Sequence, residues 1–355
     1  MPKPPTPTRK AVPPKTQASE SLPNFAALDL GTNNCRLLIA KPAVYPTRSE
    51  HGLKVLDTFS RIVRLGEGLS ETGMLSEEAM DRTIAALKAC KKKLDKYQVS
   101  YLRFIATEAC RQAGNTHEFL ARAHKEAEID IDVISNEEEA KLAFLGCSTL
   151  LKSTTDSALV FDIGGGSTEF MWVKRDNMAP PEMLCEHRIM DWLSLNQGVM
   201  NLSEKFGGTA FAEVYFDELV GNLVKRLREF DLKNKISEKV MANQIQMLST
   251  SGTLTTLAAI HLGLNHYERS KVDGFSFSTD QLRDAVQHII SMRPSERFAN
   301  HCIGPERSDY IISGCAIFEA ICTLWPVREV TVADRGVREG IIFSLMQEYI
   351  RESHE

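Results

Sequence analysis

The stretch Ala158-Leu-Val-Phe-Asp162-Ile-Gly164-Gly-Gly-Ser-Thr-Glu169-Phe-Met-Trp-Val173 decides how the rest of the chain is read. Ala158 to Phe161 is an apolar run of strand length, and Asp162 closes it with a carboxylate. The three glycines followed by Ser167 and Thr168 can turn successive backbone N–H groups toward one anion, since glycine tolerates positive φ and lets a phosphate approach closely. The chain then returns as a second strand through Phe170 to Val173. That return excludes a dinucleotide fingerprint, which needs G-x-G-x-x-G opening a helix and an acidic residue about 20 positions on. No Gly-Lys-Ser/Thr follows, so a P-loop is excluded as well.

Asp29-Leu-Gly31-Thr32-Asn33-Asn34 repeats the order acid, aliphatic, glycine after the buried strand Phe25 to Leu28, and Cys35 to Ala40 is again apolar. A tight hairpin with no ligand accounts for one such loop but not for two, each headed by an aspartate. Two halves that open alike predict a duplicated α/β domain with a cleft between the copies. Between and after these loops the sequence reads as helix from Ser76, strand Tyr101 to Ala106, helix Thr116 to Glu128 and strand Ile131 to Ile134. It continues as a helical region Thr209 to Phe230, strand Ile245 to Ser249 and helix Ser308 to Leu324. Strand Glu329 to Val332 and a last helix after Arg338 complete it. Ser76 caps its helix, with Glu77 and Glu78 in the first turn and Lys91 to Lys93 near the end, which matches the helix dipole.

The 355 residues, 43% hydrophobic and 25% charged, are enough for two domains with a sizeable core. A formal charge of -5 excludes a strong whole-protein field, so a polyanion must be drawn by a local cluster. The expectation is of no membrane span and no specific nucleic-acid partner. The most apolar run, Ile311 to Val327, is interrupted by Ser313, Gly314 and Glu319. Eight cysteines without a Cys-x-x-Cys pair read as reduced, mostly buried thiols of a cytoplasmic protein. Residues 1–23 hold seven of the fourteen prolines with Lys3, Arg9, Lys10 and Lys15. They read as a disordered basic tail, either a solvated extension or a polyanion-binding arm.

Several side chains are candidates for chemistry. Asp29 and Asp162, each at the end of a buried strand, imply magnesium, a phosphate network or both, because a lone buried carboxylate is costly. Glu169 reads either as the holder of a metal-bound water or as an exposed strand carboxylate. In Ser135-Asn-Glu137-Glu138-Glu139-Ala, Ser135 and Glu138 fit a capping box and Glu137 suits the helix N-terminus. Glu139 has no such duty and lies about 100° round the helix from Glu138. Arg111, after Ala106-Thr-Glu-Ala-Cys110, reads either as a phosphate clamp or as a surface ion pair, and Arg36 points the same way more weakly. Three matches are set aside. Cys322 and Arg328 have a cysteine-phosphatase spacing without a glycine-rich cradle. Asp130-Ile-Asp132 lacks a long apolar strand before it. His117 and His124 are separated by about 10 Å along a helix, too far for one zinc.

With these residues in view, the chain resembles the exopolyphosphatase and guanosine pentaphosphate phosphohydrolase family of the actin-like superfamily. The resemblance runs over Ala27-Leu-Asp-Leu-Gly-Thr-Asn-Asn, Ala106-Thr-Glu-Ala-Cys-Arg, Ile134-Ser-Asn-Glu-Glu-Glu-Ala, Phe161-Asp-Ile-Gly-Gly-Gly-Ser-Thr-Glu and Asp334-Arg-Gly-Val-Arg-Glu-Gly. It implies two ribonuclease H-like domains with the active site between them, here 24–145 and 146–355, and magnesium-dependent removal of a terminal phosphate. The substrate it implies is inorganic polyphosphate, or alternatively guanosine pentaphosphate. A nucleotide-gated binding or assembly protein of the same superfamily is a further alternative, and a homodimer is left open.

By the same resemblance Glu139 activates the attacking water, and Asp162 and Glu169 belong to positions linked to metal and phosphate. Asp29, Gly31, Thr32, Asn33, Asn34, Arg36, Arg111, Gly164, Gly165, Gly166, Ser167 and Thr168 fall to phosphate binding. Ser251, Gly252 and Thr253 are grouped with them, in a loop similar to the one that meets adenosine in kinase relatives. Asn34 stands where a small hydroxyl is usual. The sequence also reads as a short form without the C-terminal helical domain of longer members.

Overall fold

In the computed structural model the described residues are 22–43, 52–152, 155–176, 187–205 and 214–354. The basic tail expected over 1–23 lies almost wholly outside them, as does the first part of the helical region expected from Thr209. The chain divides into two units, Met1–Leu142 with Val337–Glu355, and Ala143–Gly336.

The first unit is built on a five-stranded sheet. Strand β1 (Phe25–Leu30) pairs antiparallel with β2 (Asn34–Pro42), which pairs antiparallel with β3 (Leu53–Ile62). On its other side β1 runs parallel to β4 (Tyr101–Ala106), and β4 parallel to the short β5 (Asp132–Val133). Phe25 to Leu28 are fully buried, which is why this strand reads as a continuous apolar run and not as an alternating one. Ser76 Oγ accepts from Ala79 N at 3.2 Å and so starts helix α1 (Glu77–Lys96), whose apolar stripe from Met80 to Leu94 joins the core. Helices α2 (Glu108–Gln112), α3 (Thr116–Ala127) and α4 (Asn136–Cys147) follow.

The second unit repeats this plan. Strand β6 (Ser157–Ile163) is antiparallel to β7 (Thr168–Arg175), and β7 to β8 (His187–Leu195). On the other side β6 is parallel to β9 (Ile245–Ser249), and β9 to β11 (Glu329–Val332). An added strand β10 (Phe275–Ser278) lies antiparallel at the edge. The two sheets share the order hairpin, hairpin, centre, parallel, parallel, as the repeated strand-loop-strand motif predicts. The fold class is therefore α/β with two ribonuclease H-like units.

Helix α5 (Val199–Lys205) stands against the glycine loop, and α6 (Phe216–Asn234), α7 (Gly252–His261) and α8 (Ile311–Leu324) carry much of the second core. Residues 311–318 of α8 are all buried, so the apolar Ile311 to Val327 run is a core element. Among the described residues no helix is long and apolar enough to cross a membrane.

Both boundaries differ from expectation. The last helix, α9 (Val337–His354), was assigned by the sequence to the second domain but packs on β1, β2 and β4. Tyr349 lies 5.5 Å from the Tyr101 ring and 6.1 Å from the Phe25 ring, closing an aromatic cluster on the first sheet. The other boundary falls inside α4, after Leu142 and not after residue 145.

Candidate functional site

Both loops are closed by the same hydrogen bond: Gly31 N donates to Asn34 O at 2.9 Å, and Gly164 N donates to Ser167 O at 2.9 Å. In the second loop, three successive carbonyls are then captured from one side. Val199 N donates to Gly164 O at 3.0 Å, Met200 N to Gly165 O at 2.9 Å and Asn201 Nδ2 to Gly166 O at 2.7 Å. A trans peptide holds its C=O and the following N–H antiparallel, and the described backbone has no cis bond. The N–H groups of Gly165, Gly166 and Ser167 therefore point away from α5, as a nest for an anion. The first loop is backed in the same manner, with Thr32 O accepting from Gly66 N at 3.0 Å and Asn33 O from Val63 N and Arg64 N at 2.9 and 3.0 Å. The amides of Asn33 and Asn34 are thereby turned the other way.

The glycine requirement differs in part from the one expected. Gly164 is outside the left-handed region; a Cβ there would make a tight contact, 3.0 Å from Ser167 O. The loop also depends on a glycine that the sequence reading passed over. A Cβ on Gly198 would fall 2.3 Å from the carbonyl carbon and oxygen of Gly165, so only glycine lets the start of α5 reach the loop. The Asn196-Gln-Gly198 turn was the available signal. Thr168 donates its hydroxyl to Gln197 O at 2.7 Å, which ties the end of the loop to the same turn.

Asp162 and Glu169 are Cα partners across the β6–β7 hairpin, so their side chains share one face of the sheet. Glu169 is only 4% exposed and accepts from Ser194 Oγ at 2.9 Å. It is thus a buried carboxylate, not an exposed strand residue. Two neighbouring carboxylates suit a divalent cation, and magnesium needs only one or two of them beside water and phosphate oxygens. No cluster of three metal-ligating side chains occurs among the described residues.

Asp29, the first-loop counterpart, faces Arg36 across the β1–β2 hairpin. Burial raises its pKa; Arg36 and Arg338 act against that, and Glu339 adds to it. Arg338 and the buried Glu339 open α9, so the returning last helix brings two charges to this loop. The Asp334–Gly340 block held these residues in plain view, but their duty depends on α9 crossing back to β1.

Glu139 lies on α4, its carboxylate 2.8 Å from Arg111 NH1. The neighbouring glutamates are held elsewhere: Glu138 N donates to Ser135 Oγ at 3.2 Å, the Glu138 carboxylate accepts from Arg103 NH2 at 2.6 Å, and Glu137 pairs with Lys141. Arg111 is an inward ion pair, 15% exposed, and not the surface pair considered above. It donates to Glu108 Oε2 from Nε at 3.0 Å and NH2 at 2.6 Å, and to Ile134 O from NH1 at 2.9 Å.

The loop after β9 is partly committed to packing. Ser251 is fully buried and its Oγ accepts from Leu254 N at 3.1 Å, capping α7. Thr253 presses on α8, where a Cβ on Gly314 would meet its Oγ1 at 2.4 Å. The main chain at Gly252 stays accessible to Arg307, 3.7 Å from the position of a Cβ there, and Arg307 NH1 donates to Thr256 Oγ1 at 2.8 Å. Cys322, set aside above as a core residue, is indeed buried, and burial pushes its thiol up to about 12. The seven described cysteines are all buried.

Comparison with known proteins matches residues 44–349 to the Ppx/GppA phosphatase family. "Exopolyphosphatase 2" of Mycobacterium tuberculosis is 28% identical over 338 residues, which is 92% of this chain and 99% of that protein. A bifunctional 3-dehydroquinate synthase/phosphatase of Fusobacterium nucleatum is 31% identical over 302 residues, covering 83% of this chain but 42% of its own length. The chain thus spans less than half of that relative. The solved structure of the Aquifex aeolicus Ppx/GppA family member aligns with a TM-score of 0.70 at 26% identity, over 94% of this chain and all of that one.

Proposed function

The chain belongs to the Ppx/GppA phosphatase family and is a phosphatase, and from that premise we propose that it is an exopolyphosphatase, hydrolysing the terminal anhydride of inorganic polyphosphate. The observation that carries this reading is the capture of the Gly164, Gly165 and Gly166 carbonyls by α5. It turns three consecutive amides away from α5, and a phosphoryl group offers three equatorial oxygens as acceptors. Fixed donors of this kind cost no reorganisation when charge develops on the transferring group. In its own unit the first loop presents the amides of Asn33 and Asn34 in the same way.

Phosphoryl transfer to water requires a positioned nucleophile more than covalent chemistry. Glu139 is the residue we assign to accept a proton from that water at its carboxylate, with Arg111 fixing the side chain at 2.8 Å. Asp162 and Glu169 would hold magnesium, which when bound neutralises phosphate charge. Ser194, donating to Glu169 at 2.9 Å, orients that carboxylate.

Polyphosphate is favoured over guanosine pentaphosphate because the mycobacterial relative named for exopolyphosphatase activity is matched over 99% of its length. The test is phosphate release from polyphosphates of several defined lengths and from guanosine pentaphosphate, side by side, with magnesium present or chelated. The proposal expects release from polyphosphate that stops on chelation. A higher kcat/KM for guanosine pentaphosphate would reassign the substrate, and tight nucleotide binding with no release from either would reassign the class.

A further inference from the structure

Glu108 opens α2 directly after β4 and is 6% exposed. Its Oε2 accepts both Nε (3.0 Å) and NH2 (2.6 Å) of Arg111, and its Oε1 accepts from Gln112 Nε2 at 2.5 Å. The opposite edge of the same guanidinium, NH1, reaches Glu139 at 2.8 Å and Ile134 O at 2.9 Å. One delocalised cation is therefore shared by two carboxylates, in a place where charges are poorly screened by water. Burial works against the Arg111 charge, but Glu139 and Glu108 outweigh it and its pKa is raised.

Sharing has a chemical consequence. A guanidinium paired to one carboxylate alone favours the anionic form strongly and leaves a weak base. A second carboxylate on its far edge offsets part of that charge and restores basicity. The other nearby groups on these elements are already engaged: Glu138 with Arg103, Glu137 with Lys141, and Asp132 3.6 Å from Arg103. On α9, Arg338 and Glu339 act on Asp29 with opposite sign.

We infer that Glu108 is a positioning residue that sets the proton affinity of Glu139 through Arg111. This rests on the reading of Glu139 as the group that takes the proton from water. A residue that only stabilised α2 would change the amount of folded enzyme and leave the pH dependence of its rate in place.

The experiment is the pH profile of kcat for phosphate release from polyphosphate with magnesium, for wild type, Glu108→Gln, Glu108→Asp and Glu139→Gln. Removing the Glu108 charge should move the acid limb down by about one unit, and the weaker base should lower the plateau by roughly threefold. Glu108→Asp keeps the charge but withdraws it from Arg111, so its limb should move the same way by less. This variant decides the matter if Glu108→Gln does not fold. Acid limbs unmoved in both Glu108 variants, with the limb lost in Glu139→Gln, would overturn the inference and leave the role of Glu139 standing. A limb that persists in Glu139→Gln would overturn that role and the inference with it.

Discussion

Gly198 stands against Gly165 with no room for a side chain: a Cβ on Gly198 would lie 2.3 Å from the Gly165 carbonyl. The contact joins two residues far apart in sequence and fixes which way the glycine-loop amides face. Gly198→Ala must push the loop or the start of α5, since both neighbours are backbone. We expect kcat/KM for phosphate release to fall by at least about tenfold, with KM rising, while the fold survives by circular dichroism. Wild-type kinetics in Gly198→Ala would show that the loop does not need this support.

Asn201→Ala removes one of the three carbonyl contacts, from Asn201 Nδ2 to Gly166 O at 2.7 Å. The two backbone contacts remain, so the loss should be smaller than for Gly198→Ala, about 1 kcal/mol in transition-state binding. Steady-state kinetics of both variants gives the ranking, and the reverse order would contradict it.

Gly340 and Gly221 form a matched test of packing. A Cβ on Gly340 would lie 1.9 Å from Leu142 O on α4, three residues beyond Glu139, whereas Gly221 on α6 has nothing within 4 Å. Gly340→Ala should destabilise the protein by more than about 2 kcal/mol and lower activity through α4. Gly221→Ala should stabilise it by about 0.5–1 kcal/mol through helix propensity alone. Urea denaturation of the two variants measures both signs.

Asp29 gives a prediction about stability and pH. Its folded-state pKa is raised, so the folded state binds more protons than the unfolded state between the ordinary value of 3.8 and the raised one. Its contribution to stability thus falls as pH rises through that window. Asp29→Asn should raise Tm at neutral pH and weaken this fall, at the cost of activity. A lower Tm for Asp29→Asn at pH 7 would mean that the carboxylate is held by favourable contacts that outweigh its burial.

Local chemistry made much of this fold legible. Tyr101–Ala106, Ile245–Ser249 and Glu329–Val332 have the ends that their apolar patterns predict, and Ser76 caps its helix as its position before Glu77 and Glu78 implies. The elements that escaped are those set by distant contacts. Val199 and Met200 back the glycine loop from 35 residues away in the sense of the Asn201 contact, through a turn that looks like any other. The return of α9 to Phe25 and Tyr101 leaves no mark in a helix that simply follows the last strand. Glu108 lies three residues before Arg111 on one helical turn, a spacing that foretells their pairing. That the same guanidinium also reaches Glu139 depends on how α4 follows β5.

The most direct test of the account is Glu139→Gln, which keeps the size of the side chain and removes its charge and its basicity. Turnover of polyphosphate should fall by about 10²–10⁴-fold, with polyphosphate binding and thermal unfolding close to wild type. Turnover within a few-fold of wild type in a folded, polyphosphate-binding Glu139→Gln enzyme would contradict the assignment of Glu139 as the base.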